Sequence, residues 1–216
     1  MKVVTFDVET TGLNPKYAST RDTYRFPYVV QLSWIVFDTG TNTLEAVYDY
    51  IIRLPKDMEI PDESTNIHGI NTETMREKGV DIRNILEKFK KDVLSANVIV
   101  AHNIAFDKKI LEVEFFRNGF EKSWNEMRKK EFCTMKEGEN MCNLKMKSFY
   151  TGKMISKYPR LSELHQKLFR KTPKNIHNSL IDILMCFRCY YKMYYDRDIM
   201  TINPKFASLY KLMCVL

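Results

Sequence analysis

The chain has 216 residues, a hydrophobic fraction of 44% and a formal net charge of +7. This suits a single domain, residues 1–216, with a sizeable core, and the odd number of cysteines (five) shows no disulfide-framework spacing. Met1-Lys2 runs straight into the short apolar stretch Val3-Val4-Thr5-Phe6, and no apolar run reaches membrane-spanning length. These features exclude a signal core or a membrane span and lead us to expect a soluble intracellular protein, cytoplasmic or nuclear, with no membrane partner.

Lys2 to Val8 reads as a buried strand, rich in β-branched and aromatic residues and closed by Gly12-Leu13-Asn14-Pro15. Residues 16–27 form a polar loop carrying Tyr17, Arg21, Tyr24 and Arg25. Tyr28 to Asp38 is a second strand, Thr39-Gly40-Thr41-Asn42 a turn, and Leu44 to Leu54 a third strand, so the chain opens with an antiparallel meander. Pro61 to His68 suits a short helix. Ile82 to Val93 shows helical spacing, with Ile82, Ile85, Leu86 and Phe89 on one face. Asn97 to Ala101 is a short buried strand, and Asp107 to Phe116 a helix that Asn118-Gly119 ends.

Residues 121–160 form an elaborated basic segment with a short strand at Glu131 to Thr134. A helix opens at Pro159-Arg160, with Leu161, Leu164 and Leu168 toward the core and His165 on its polar side as a structural residue. Asn178 to Tyr195 is the last long helix. Within it Cys186-x-x-Cys189 reads as core thiols rather than a metal pair. Helices and strands therefore alternate after the meander, an α/β layout with a mixed sheet flanked by helices.

The chemistry concentrates in three boxes: Asp7-Val8-Glu9-Thr10-Thr11-Gly12, His102-Asn103-Ile104-Ala105-Phe106-Asp107, and His177 with Asp182. Asp7 and Glu9 are two apart in a strand and share a face, while Val8 points to the core. Two carboxylates side by side repel unless a cation sits between them. Oxygen ligands of this kind suit Mg²⁺ or Mn²⁺ rather than Zn²⁺. Asp182 is an acid within an apolar helix, where an unpaired charge is costly and a metal relieves the cost. His177 and Asp182 are five residues apart, roughly 500° on one helix, so they work together only if His177 lies in the loop before the helix. Asn178 or Ser179 then serves as N-cap. Asp107, taken alone, reads first as a charge favouring a helix N-terminus, and its place after a buried strand and His102-Asn103 raises the catalytic reading.

Charge is unevenly placed. Residues 117–171 hold 14 Lys and Arg against 6 Asp and Glu, an excess of eight, which leaves the remainder at −1. Charge alone leaves a polyanion-binding region and a solvated surface as equal alternatives; beside a carboxylate metal site it favours nucleic acid.

In this order, Asp7-x-Glu9-Thr10-Thr11-Gly12-Leu13, His102-Asn103-x-x-Phe106-Asp107 and His177-x-Ser179-x-x-Asp182 resemble the three motifs of the DEDDh, DnaQ-like 3′→5′ exonucleases. Ile67-His68-Gly69-Ile70 resembles a further segment of that family, and the likeness spans roughly residues 2–194. Ser179 departs from it, since the family usually has Ala there.

The resemblance implies an RNase H-like fold and a two-metal 3′→5′ exonuclease that releases nucleoside 5′-monophosphates from single-stranded ends. It implies that Asp7, Glu9 and Asp182 ligate the first metal, that Asp107 holds the second through water, and that His177 is the general base. It further implies that Thr10, Leu13, His68, Asn103 and Phe106 contact substrate. From local sequence His68 reads as a satisfied loop histidine, and Phe106 reads equally as core. Tyr17, Tyr24 and Phe26 are candidates to stack on bases. DNA is the favoured substrate, in a proofreading or repair setting; a polymerase or repair partner is one option, and a free-standing enzyme is the favoured one. RNA trimming and a non-catalytic nucleic-acid- or polymerase-binding module are the alternatives, and no residue distinguishes deoxyribose from ribose.

Overall fold

The computed structural model describes residues 1–120, 127–171 and 177–214. Residues 121–126, the start of the basic segment, lie outside the described residues. Strand β1 (Lys2–Thr10) pairs antiparallel with β2 (Val29–Asp38), and β2 pairs antiparallel with β3 (Thr43–Ile51). β1 also pairs in parallel with β4 (Val98–Ala101), and β4 with β5 (Lys130–Cys133). The sheet order is therefore β3-β2-β1-β4-β5, the mixed sheet of the RNase H-like exonuclease fold, with the meander on one side of β1 and parallel strands on the other.

Alternation along β1 assigns its two faces. Val4, Phe6 and Val8 enter one core with Ile85, Leu86, Phe89 and Val93 of helix α3 (Ile82–Ser95) and Ile110, Leu111 and Phe115 of helix α4 (Ile104–Arg117). Val3 enters the opposite core with Ile183, Leu184 and Phe187 of helix α7 (Ser179–Tyr195) and Phe206 and Tyr210 of helix α8 (Pro204–Met213). Phe89 is fully buried and meets the Phe6 and Trp34 rings edge-on at 5.4 and 5.5 Å. Truncating such a phenylalanine costs about 3–5 kcal/mol. Cys186 and Cys189 are buried free thiols of α7, as their apolar surroundings imply.

Helix α1 (Asp62–His68) falls where the sequence places it, but helix α2 (Thr72–Lys78) is additional. Asn71 caps it by accepting from the Thr74 N–H, and Met75 packs with Val30, Leu54, Ile60 and Ile70 in a small third core. Helix α4 begins three residues before Asp107, because Asn103 takes a left-handed conformation (φ 67°) and turns the chain into the helix at once. Asp107 is thus in the first turn rather than at the opening. Helix α5 (Thr134–Cys142) and the short antiparallel pair β6 (Lys145–Lys147) and β7 (Met154–Ser156) occupy the segment that the sequence left unread. Helix α6 (Leu161–Phe169) follows. Its His165 is fully buried, not on a polar side. The imidazole sits between two elements: Nδ1–H donates to the Lys171 carbonyl at 2.6 Å and Nε2 accepts from the Tyr210 hydroxyl at 2.7 Å. Helix α8 was also unforeseen, although Asn203-Pro204 carries a cap and first-turn proline that announce it. None of the helices among the described residues is long and apolar enough to cross a membrane.

Candidate active site

β1, β4 and β5 run parallel, so their C-terminal ends share one edge of the sheet. Asp7 and Glu9 sit at that end of β1, opposite Ser33 and Gln31 of β2. The pairing shifts register between Glu9 and Thr10, the kind of irregularity that re-aims side chains beside functional sites. Asp182 comes from the first turn of α7, which packs on the same face of β1. One carboxylate oxygen from each of Asp7, Glu9 and Asp182 lies within 4.8 Å of the others. Two segments of the chain, about 170 residues apart in sequence, thus supply a site able to hold a cation.

Asp107 approaches from the opposite helical layer. It is buried, and its Oδ1 accepts the Val8 N–H at 3.2 Å, directly between Asp7 and Glu9. The structure therefore sets Asp107 beside the other three carboxylates, with one oxygen committed to the strand.

Among the described residues the electrostatics are those of crowded carboxyl groups. Burial, followed by the charges of Asp107, Asp182 and Glu9, holds the Asp7 carboxyl well above the usual carboxylate range. Burial and the charges of Asp182 and Asp107 push Glu9 up to about 8. Burial pushes Asp107 to about 7 against the opposing Val8 N–H, and Asp182 to about 7 against the His177 N–H. An all-oxygen donor set with this much uncompensated charge fits one or more hard divalent cations.

His177 lies just before α7, as the spacing requires, with Asn178 as the N-cap accepting from Ile181. It is exposed, has a left-handed backbone (φ 74°), and its N–H donates to Asp182 Oδ2 at 3.2 Å. A candidate ligand carboxylate therefore holds the backbone of the candidate base.

The candidate substrate contacts divide. Leu13 is 85% exposed beyond the end of β1, free to meet a ligand. Thr10 is nearly buried, and its hydroxyl donates to the Gly12 carbonyl at 2.6 Å, which shapes the turn. The Asn103 side chain caps nothing on α4. Phe106 is half-buried against the core and so belongs partly to the packing. His68 is buried; its Nδ1 accepts the Ile70 N–H at 3.1 Å while Nε2 lacks a hydrogen-bond partner. Burial pushes that imidazole down, opposed by the backbone of Thr10. Of the proposed stacking aromatics, Tyr17 and Tyr24 are 93% and 82% exposed, but Phe26 is buried and cannot offer a face to a base. The Lys109 ammonium sits 5.1 Å from its ring centre.

Two supporting arrangements escaped the sequence reading. His102 is held through both ring nitrogens: Nε2–H donates to the Pro159 carbonyl at 3.0 Å, and Nδ1 pairs with the Thr134 hydroxyl at 2.9 Å. It thereby ties the entry of α4 to the segments around α5 and α6. Gln31 accepts the Ser179 N–H and donates to Asp49, which also receives the Ser33 hydroxyl. The signal was present, since Gln31 and Ser33 are polar residues inside an apolar strand.

A mixed five-stranded sheet with its acidic cluster at the C-terminal end of the central strand defines a nuclease of the RNase H-like class. The chain belongs to the exonuclease family typified by RNase T, whose model matches residues 4–190. It is 30% identical over 118 residues to the DNA polymerase III PolC-type of Mycoplasmopsis pulmonis (strain UAB CTIP), covering 55% of this chain and 7% of that protein. It superposes on E. coli exonuclease I in complex with a dA16 oligonucleotide with a TM-score of 0.65 at 15% identity, covering 96% of this chain and 42% of that one. Exonuclease I from Methylocaldum szegediense gives a TM-score of 0.64 at 16% identity, covering 96% and 44%. This chain thus spans less than half the length of these relatives.

Proposed function

We propose that this chain is a divalent-cation-dependent 3′→5′ exonuclease that acts on single-stranded DNA ends and releases nucleoside 5′-monophosphates. The observation that carries the reading is the convergence of Asp7, Glu9 and Asp182 oxygens within 4.8 Å in a chain of an exonuclease family. Asp7, Glu9 and Asp182 would hold a first cation, and Asp107 would serve a second. Mg²⁺ or Mn²⁺, when bound there, neutralises charge developing on the attacking and leaving oxygens of the phosphodiester. A ring nitrogen of His177 takes the proton from the attacking water, and the Asp182 carboxylate steadies the backbone that carries it. Leu13 wedges against the terminal nucleotide, with Thr10, Asn103, Phe106 and His68 arranged near the strand. DNA is favoured because the structural relatives include one bound to a deoxyoligonucleotide and the sequence relative is a DNA polymerase. The latter also supports a polymerase or repair partner.

The test is digestion of linear single-stranded DNA and RNA, each labelled at the 5′ end, alongside a closed single-stranded circle. With Mg²⁺ the linear DNA should shorten stepwise from its 3′ end, faster than RNA, and the circle should persist. EDTA should stop the reaction and Mn²⁺ should restore it. Cutting of the circle, or immediate release of the 5′ label as a mononucleotide, overturns the proposed polarity. Faster loss of RNA reassigns the substrate.

A further inference from the structure

The β6–β7 hairpin stands out from the body of the fold. All six of its paired residues are exposed, and at its tip Phe149 and Tyr150 are 96% and 95% exposed. An isolated two-stranded hairpin is marginally stable in water, and large apolar side chains left in solvent mark a contact surface. Residues 143–158 contain four lysines and no acidic residue. Lys157 pairs with Glu163, whereas Lys147 and Lys153 form no ion pair among the described residues. Uncompensated lysines interleaved with exposed aromatics are the surface that single-stranded nucleic acid requires, cations for the backbone and ring faces for the bases.

The hairpin's position strengthens this assignment. The chain leaves β5 at the sheet edge that carries Asp7 and Glu9, passes through α5 and the hairpin, and returns to that edge at Pro159. The Pro159 carbonyl accepts from His102, the residue before the Asn103 cap of the Asp107 helix. Lys157 at the hairpin's base is therefore two residues, at most about 7 Å of chain, from a contact of the active-site edge.

We propose that the β6–β7 hairpin is a second strand-binding site, which holds single-stranded nucleic acid upstream of the 3′ end by stacking on Phe149 and Tyr150 and by phosphate contact with Lys147 and Lys153. It rests on the nuclease reading for the direction of the strand, but its binding can be measured without turnover. Affinity of the full chain for a 20-nucleotide and a 4-nucleotide single strand is measured in EDTA, for wild type, Phe149→Ala/Tyr150→Ala and Lys147→Gln/Lys153→Gln. The aromatic variant should bind the 20-mer about tenfold or more weakly. The lysine variant should show a shallower dependence of log affinity on log salt, by about 1.4 for two phosphates. Both should bind the 4-mer as wild type does, which also shows that they are folded. Unchanged 20-mer affinity in both variants, including a case in which the hairpin instead engages anionic vesicles or protein, overturns the proposal. Equal losses on the two lengths overturn it as well. Absence of turnover in wild type with these length-dependent losses intact would count against the nuclease reading alone.

Discussion

The Ser179 hydroxyl donates to the Asp7 main-chain carbonyl at 2.8 Å, joining the first residue of α7 to the strand that carries two of the metal-binding candidates. Ser179 is fully buried, and its N–H is held by Gln31 Oε1 at 3.2 Å. The residue that departs from the family's usual alanine thus fastens the helix bearing Asp182 to the strand bearing Asp7 and Glu9.

Ser179→Ala should lower stability by about 1 kcal/mol, the net worth of one buried hydrogen bond. Urea denaturation of the metal-free protein measures it. Activity should stay within a few-fold of wild type, because Gln31 still anchors the helix backbone. A loss of several kcal/mol would mean that the hydroxyl organises more than this one contact.

Glu9→Gln and Asp182→Asn should each remove nearly all nuclease activity. Each should also raise the melting temperature of the metal-free protein, because each deletes one of several mutually repelling carboxylates. Wild type should gain stability on addition of Mg²⁺, as any ligand of the native state confers, and the variants should lose most of that gain. Thermal melts with EDTA and with Mg²⁺ separate the two effects. A variant that melts lower without metal would show that the carboxylates are held by contacts other than a cation.

His177→Ala should reduce turnover by about 10²–10⁴-fold while leaving strand affinity near wild type. The side chain is exposed at the helix entrance and its backbone N–H still reaches Asp182. Single-turnover rates and equilibrium binding, measured on one oligonucleotide, read the two quantities apart. Weakened binding with unchanged turnover would place His177 on the substrate instead.

Burial pushes His165 down from 6.5 to about 4, so the unfolded chain takes up a proton first as pH falls. The contribution of a neutral His165 is fully present above pH 6.5 and is lost as pH falls toward 4. His102, also pushed by burial to about 4, acts in the same direction. The raised carboxylates of the metal-free site act oppositely, losing stability as pH rises toward 8. The difference between wild type and His165→Gln isolates the histidine: it should be largest near neutrality and shrink on acidification. Urea midpoints taken at several pH values measure it, and a pH-independent difference would exclude a titrating role.

The three acidic boxes and the meander were legible because their signals are local. Asp7 and Glu9 share a strand face by alternation, and the loop position of His177 follows from helical turn. Paired acids closing an apolar run repel each other, which a cation relieves, so a candidate metal site was readable before the fold. Tertiary structure alone decided what depends on distant partners. It set Asp107 against the Val8 N–H from the opposite layer, buried His165 beneath Tyr210, and removed Phe26 from the surface. It also showed α5 and the basic hairpin, and the hydrogen bonds by which Thr134 and Pro159, at the two ends of that segment, meet His102. Local sequence carries periodicity and the cost of unpaired charge. Which buried polar atom meets which partner is settled only when segments far apart in the chain pack together.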